Sequence, residues 1–131
     1  MTVSLQIQNL AKRTPAIRRA FLRNAKEKIL GKKYELSLVF IGDALSRRLN
    51  RERRGKDKPA NTLSFPLTET SGEIFINMAQ AKRDAPRFGE GTAAFALRLF
   101  IHSLLHLKGF SHGSTMESEE EKYIAFLRRS A

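Results

Sequence analysis

The chain has three histidines, His102, His106 and His112, and all of them fall within eleven consecutive positions. His102 and His106 are four residues apart, so on a helix they share a face, one turn above the other. Gly109 lies between the second and third histidines and is the residue type that ends a helix in a left-handed turn, where the chain must double back. Neutral imidazoles are good ligands for zinc, nickel, copper and similar divalent ions. Three protein ligands leave one position open for water or substrate, the pattern of a catalytic zinc rather than a structural one. Any one histidine reads most simply as a core or surface imidazole. Three in the pattern H-x3-H-x5-H, with a glycine at the turn, read as a metal site.

The metzincin proteases share this spacing, H-E-x-x-H-x-x-G-x-x-H, but their glutamate general base is replaced here by Ser103. A serine hydroxyl has a far higher pKa than a carboxylate and cannot take over that proton transfer at neutral pH. The spacing supports a metal, and Ser103 argues against peptide hydrolysis.

The segment that must position the first two histidines is apolar on every side: Ala94, Phe95, Ala96, Leu97, Leu99, Phe100, Ile101, Leu104 and Leu105. It is too short to cross a bilayer and reads as a buried core helix. A length of 131 residues predicts one domain, residues 1–131. The chain has no cysteine, which excludes disulfides and thiolate metal sites and suits a cytoplasmic protein. The start MTVSLQIQNL lacks a basic region followed by a long apolar core, so neither a signal peptide nor a membrane segment is expected. Net charge is +11 and is unevenly placed: residues 1–60 hold 16 Lys+Arg against 5 Asp+Glu, whereas residues 61–131 hold 8 of each. A basic half of this size attracts polyanions, and nucleic acid is the leading partner.

Along the chain, Val3–Gln8 alternates like a strand. Thr14-Pro15 predicts a helix start, with Thr14 as cap. That helix runs to about Leu30 with Ile17, Phe21, Ala25 and Leu30 inward, and its other face carries Arg18, Arg19, Arg23, Lys26 and Lys28. Tyr34–Ile41 suits a strand, and Asp43 is placed to cap a helix ending near Arg53. Then comes the most basic stretch, RERRGKDK from Arg51 to Lys58. Gly55 within it allows close approach to a phosphate, and the arginines offer bidentate donors. No P-loop pattern is present, so no nucleotide cofactor is expected. Asn61–Leu67 and Gly72–Asn77 predict a hairpin, with Pro66 marking an edge strand. Met78–Phe88 predicts a helix ended near Pro86, and a last helix runs from about Thr115 to Arg129, acidic first and basic last as the helix dipole favours. The fold class this order implies is α+β: a small mixed sheet of about four strands, helices mainly on one side, and the metal site on a buried helix of the C-terminal half.

Two segments together resemble one family. HSLLHLKGFSH (His102–His112) is similar to H-G-x-L-H-L-x-G-[YF]-D-H, and RGKDKPANTLSFP (Arg54–Pro66) to R-G-K-D-x-P-T-[ND]-V-L-S-F-P, both signatures of the YbeY endoribonucleases and rRNA maturation factors. GEIFIN resembles that family's G-D-I-x-I strand. The resemblance implies zinc (or another divalent metal) at His102, His106 and His112, with Arg54 as the functional arginine near it. It also implies single-stranded RNA as substrate, in particular precursor 16S rRNA near its 3′ end, within small-subunit assembly among its assembly proteins. Two positions depart from the signature. Ser103 stands where it has glycine, which would crowd the helix against a neighbour. Ser111 stands where it has aspartate, whose loss would weaken metal affinity if it orients a ligand.

The reading that results is a metal-dependent endoribonuclease. Arg54 would neutralise charge on the phosphoryl oxygens, and Arg51, Arg53, Lys56 and Lys58 would hold the RNA backbone. Glu73 is one possible base. The alternatives are a non-catalytic RNA-binding assembly factor with a structural metal, and a metallopeptidase, against which Ser103 counts.

Overall fold

The computed structural model describes residues 4–12 and 16–129. Val3, Thr14 and Pro15 lie outside them, but residues 16–18 are not helical and the first helix begins only at Arg19, with extended Arg18 at its N-cap, so the helix does not start at Thr14-Pro15 as expected. Four strands, β1 (Leu5–Asn9), β2 (Glu35–Ile41), β3 (Thr62–Thr68) and β4 (Ser71–Asn77), form one sheet in the order β1-β2-β4-β3. β1 and β4 pair parallel to β2, while β3 and β4 form an antiparallel hairpin. β3 is therefore an edge strand, as Pro66 requires, since a proline has no N–H for a second neighbour. Five α-helices accompany the sheet: α1 (Arg19–Leu30), α2 (Asp43–Arg54), α3 (Met78–Asp84), α4 (Thr92–Lys108) and α5 (Ser114–Arg129). The helix expected over Met78–Phe88 stops being α-helical at Asp84 and continues as a 3₁₀ turn, Ala85–Phe88. Pro86 cannot donate into the α-helical ladder.

Alternation along the strands separates two faces. Leu36, Leu38, Phe40, Ile74 and Ile76 face a core shared with α1 (Leu22, Ala25, Ile29), α4 and α5 (Met116, Ile124, Leu127). Val39, Ile41, Leu63 and Phe75 face the opposite side, where α2 contributes Leu49. The molecule is an α+β fold with its helices mainly on one side. Other local expectations need correction. Lys26 is buried, not on the exposed face of α1, and its Nζ donates to the Lys32 carbonyl at 2.9 Å. Asp43 does not cap α2, which begins after Gly42. Its carboxylate instead accepts from Asn77 Nδ2 (2.8 Å) and Arg83 Nη2 (2.7 Å).

α4 is anchored by Phe95, Leu99, Phe100, Ile101, Leu104 and Leu105, all buried. At about 2 kcal/mol for each such side chain, their burial outweighs the ~1–3 kcal/mol that a partly desolvated polar group costs, so imidazoles can be held at this helix's edge. The C-terminal end of α4 comes close to the sheet. A Cβ on Gly72 of β4 would sit 2.5 Å from Tyr34 Oη and 3.1 Å from Leu107 Cδ2, so only glycine fits without displacement.

Ser103 does not crowd the helix as expected. It is fully buried, and its Oγ lies 2.7 Å from Thr62 Oγ1 on β3. The Thr62 hydroxyl donates to the Phe75 carbonyl at 3.1 Å, so its one hydrogen is used and Ser103 must be the donor in the pair. A short hydroxyl chain thereby ties α4 to the sheet edge. Thr62→Val should cost about 1–2 kcal/mol by orphaning the Ser103 hydroxyl, and Thr62→Val/Ser103→Ala should recover most of that. Denaturant titration of the three proteins checks this, and a double variant as unstable as the summed singles would contradict it.

Candidate metal centre and basic cleft

His102 and His106 sit on the edge of α4, partly buried, and His112 is exposed beyond its C-terminus. Gly109 takes φ 115°, a left-handed conformation in which side chains are strained, and closes the helix. The closing bonds run from the Gly109 N–H to the His106 carbonyl and from the Phe110 N–H to the Leu105 carbonyl, both at 3.0 Å. This reversal returns the Phe110 carbonyl to His106 Nδ1 (3.1 Å) and carries His112 over the helix end. Ring centroids of His112 then lie 4.6 Å from His106 and 5.2 Å from His102.

The tautomers follow from the partners. A carbonyl can only accept, so His106 Nδ1 is the donor and, in the neutral ring, Nε2 is a bare lone pair. His102 Nδ1 faces the Glu120 carboxylate at 3.0 Å and is constrained in the same way. The two Nε2 atoms point at each other across 3.2 Å. Only a shared proton or a cation relieves two opposed lone pairs. The ligand atoms of all three histidines lie within 4.8 Å of one another, and a proton has no use for a third. Two nitrogens on one tetrahedral zinc would be ~3.3 Å apart at the usual Zn–N distances, so the residues present fit a divalent metal. His106 has its pKa lowered, chiefly by burial and then by His102, His112 and Arg54, against a smaller opposing effect of the Phe110 carbonyl. It stays neutral, the form that binds metal.

The histidines open onto a cleft of about 700 Å³. Its basic wall is formed by Arg54, the last residue of α2, and by Lys56 and Lys58 of the loop that follows. This loop is fixed to the helix behind it. Ser46 Oγ donates to the Ala60 carbonyl and accepts from its N–H, both at 2.9 Å, and Asn50 Nδ2 donates to the Lys58 carbonyl at 2.9 Å. Arg47 grips Asp57 with two bonds of 2.8 and 3.0 Å. Arg51 and Arg53 are not brought to the cleft wall. Arg51 pairs with Asp57 at 3.6 Å. Arg53 bonds Glu73 at 2.6 Å and stacks over Phe65 at 4.6 Å. Glu73 alternates with the residues that face the metal side and shares the α2 face with Phe75, away from the histidines.

Residues the sequence did not mark also line the cleft, among them Arg87, Asp84, Asn61 and Gln80. Asp84 accepts from Asn61 Nδ2 (3.2 Å) and Gln80 Nε2 (2.9 Å). Arg87 follows Pro86 in the 3₁₀ turn, and nothing in its spacing signals a site. Glu120 had a readable signal: it falls on the buried stripe Met116, Glu120, Ile124, Leu127 of α5, where apolar residues are expected. Ser111 is exposed. Among the described residues, no helix is long and apolar enough to cross a membrane.

Fold and site together define an α+β protein with three histidines able to hold a metal ion in a basic cleft. Residues 3–128 match the family Endoribonuclease YbeY, and the chain belongs to that family. A Chlorobium phaeovibrioides protein named Endoribonuclease YbeY is 31% identical, over 95% of this chain and 91% of its own length. A Sulfurihydrogenibium protein of the same name is 36% identical, over 84% of this chain and 78% of its own. The solution structure of TM1509 from Thermotoga maritima superposes with a TM-score of 0.65 at 25% identity, covering 94% of this chain and 88% of that one.

The depressed pKa of His106 has a thermodynamic consequence for metal-free protein. Below the ordinary imidazole value of about 6.5, the unfolded chain takes up a proton at this position that the native state resists. The contribution is fully present above that value and is lost as pH falls toward the lower native pKa. Chelator-treated protein should therefore lose stability on acidification from about pH 6.5, and His106→Gln should show a flatter profile. Thermal melts of both proteins across that range check this, and identical slopes would contradict it.

Proposed function

We propose that the protein is a metal-dependent endoribonuclease that cleaves single-stranded RNA, with residues 1–131 acting as one such domain. The observation that carries this is the position of the three-histidine cluster. It opens into a cleft walled by Arg54, Lys56, Lys58 and Arg87, whereas structural zinc sites are closed by four protein ligands. Membership of a family described as endoribonucleases supports the reaction class.

In this reading His102, His106 and His112 hold one divalent ion, with zinc as the proposed metal. When bound, that ion supplies a Lewis acid beside the scissile phosphodiester. Arg54 lines the same cleft as the three histidines, and in this role its guanidinium neutralises charge that develops on the phosphate oxygens. Lys56 and Lys58 hold the RNA backbone as point charges, joined by Arg87 from the 3₁₀ turn that also lines the cleft. Arg51 and Arg53, held in ion pairs with Asp57 and Glu73 outside the wall, add only to the general positive field of this half of the chain. Glu73, across the sheet, is not used as a base. The proposed biological substrate is precursor 16S rRNA near its 3′ end, during late small-subunit assembly in the cytoplasm. This finer assignment rests on the resemblance of the His102–His112 and Arg54–Pro66 segments.

Cleavage of a labelled single-stranded RNA by purified protein tests the reading. Activity should disappear with a chelator and return with added divalent metal. Arg54→Ala should lower turnover by about 10²–10³-fold, the usual cost of removing one donor to a developing oxyanion, with metal content unchanged. Arg54→Ala protein that cleaves at the wild-type rate would remove Arg54 from the mechanism. Cleavage indifferent to metal removal would overturn the metal-dependent reaction.

A further inference from the structure

His102 has a partner that this account of cleavage does not use. Glu120 on α5 is buried at 9% exposure, and its Oε2 lies 3.0 Å from His102 Nδ1. A buried carboxylate needs compensation, and one cation is nearby. Arg98 precedes His102 by one turn on the same face of α4, and its Nη1 is 3.6 Å from Glu120 Oε1. Arg98 makes closer contacts elsewhere: its Nε bonds Glu90 at 2.7 Å and its Nη1 bonds Glu121. Arg128 joins Glu90 at 3.0 Å. If Glu120 were only a strut between α4 and α5, its shortest contact should be the guanidinium. Its shortest contact is the histidine.

We propose that Glu120 is the positioning carboxylate of the metal site, an inference that rests on the three histidines being its ligands. Glu120 accepts the Nδ1–H of His102, which selects the tautomer with a free Nε2 lone pair, fixes the ring plane and makes that nitrogen a stronger donor. Arg98, held by Glu90 and Glu121, keeps the carboxylate in place from the far side. The Phe110 carbonyl does the same for His106, as a neutral and therefore weaker acceptor. The two metal ligands on α4 are thus oriented from different parts of the chain, one by the turn at Gly109 and the other by α5.

Zinc affinity measured by competition with a chromophoric chelator near neutral pH tests this in the full chain, comparing wild type with Glu120→Ala, Glu120→Gln and His112→Ala. Circular dichroism reports folding, and ¹⁵N NMR of the metal-free proteins reports the His102 tautomer. Glu120→Ala should bind zinc about 10–100-fold more weakly, with His102 shifting from Nδ1–H to the Nε2–H form that free histidine favours. Glu120→Gln keeps an oxygen acceptor and should lose less, yet measurably. A folded Glu120→Ala protein with wild-type affinity and an unchanged tautomer would overturn the proposal. Should the alanine variant not fold, wild-type affinity in Glu120→Gln would overturn it equally. Wild type that binds no more zinc than His112→Ala would instead refute the ligand set on which the proposal rests.

Discussion

Two imidazole nitrogens with their lone pairs directed at each other across 3.2 Å are an arrangement that neutral side chains avoid unless something positive lies between them. Much of the structure around α4 serves to impose it. The buried face of the helix fixes where the imidazoles emerge, and the Ser103–Thr62 hydroxyl chain fixes that helix against the sheet edge. The left-handed turn at Gly109 sets one ring through the Phe110 carbonyl and delivers the third histidine. With both Nδ1 atoms committed to acceptors, the free valence of each ring points inward. A divalent cation satisfies the pair and has coordination to spare for His112.

Opposite this centre, the chain has built a wall of cations from a loop that would otherwise repel itself. Asp57, Ser46 and Asn50 hold the Gly55–Ala60 segment against α2, so Arg54, Lys56 and Lys58 are presented at defined positions. Asn77 extends this fixation. It caps α3, donates to the Ala60 carbonyl at 3.2 Å and to Asp43 at 2.8 Å, and so joins the loop, α2 and the start of α3 at one buried side chain. The histidines and the cations Arg54, Lys56 and Lys58 therefore come from opposite halves of the sequence and meet at the β3 edge of the sheet, where Thr62 and Ser64 also line the cleft. Such a cleft can hold an extended polyanion against a metal without enclosing it.

The α+β class, the hairpin, the edge position of β3 and the grouping of the histidines were all legible from short-range patterns: strand alternation, Pro66, and the spacing around Gly109. What could not be read was which way individual charges point. Arg51, Arg53 and Arg54 are consecutive or nearly so, and on a helix they diverge by about 100° per residue. Only tertiary packing decides that Arg53 stacks on Phe65 and bonds Glu73 while Arg54 turns to the cleft. Lys26 was misplaced for the same reason, since its long stem crosses the core edge to a carbonyl acceptor. Glu120 was hidden by a sufficient local explanation, because acidic residues early in a helix suit the dipole and need no other partner. Its place on the apolar stripe of α5 was the stronger clue.

Convergence of His102, His106 and His112 on a single divalent ion is measured most directly by X-ray absorption at the metal edge of purified untagged protein. The expected result is about one equivalent of metal with three imidazole nitrogens at ~2.0–2.1 Å and a remaining light-atom position. Protein that retains no metal after mild purification and reconstitution, or a bound metal whose spectrum lacks imidazole scattering, would contradict it.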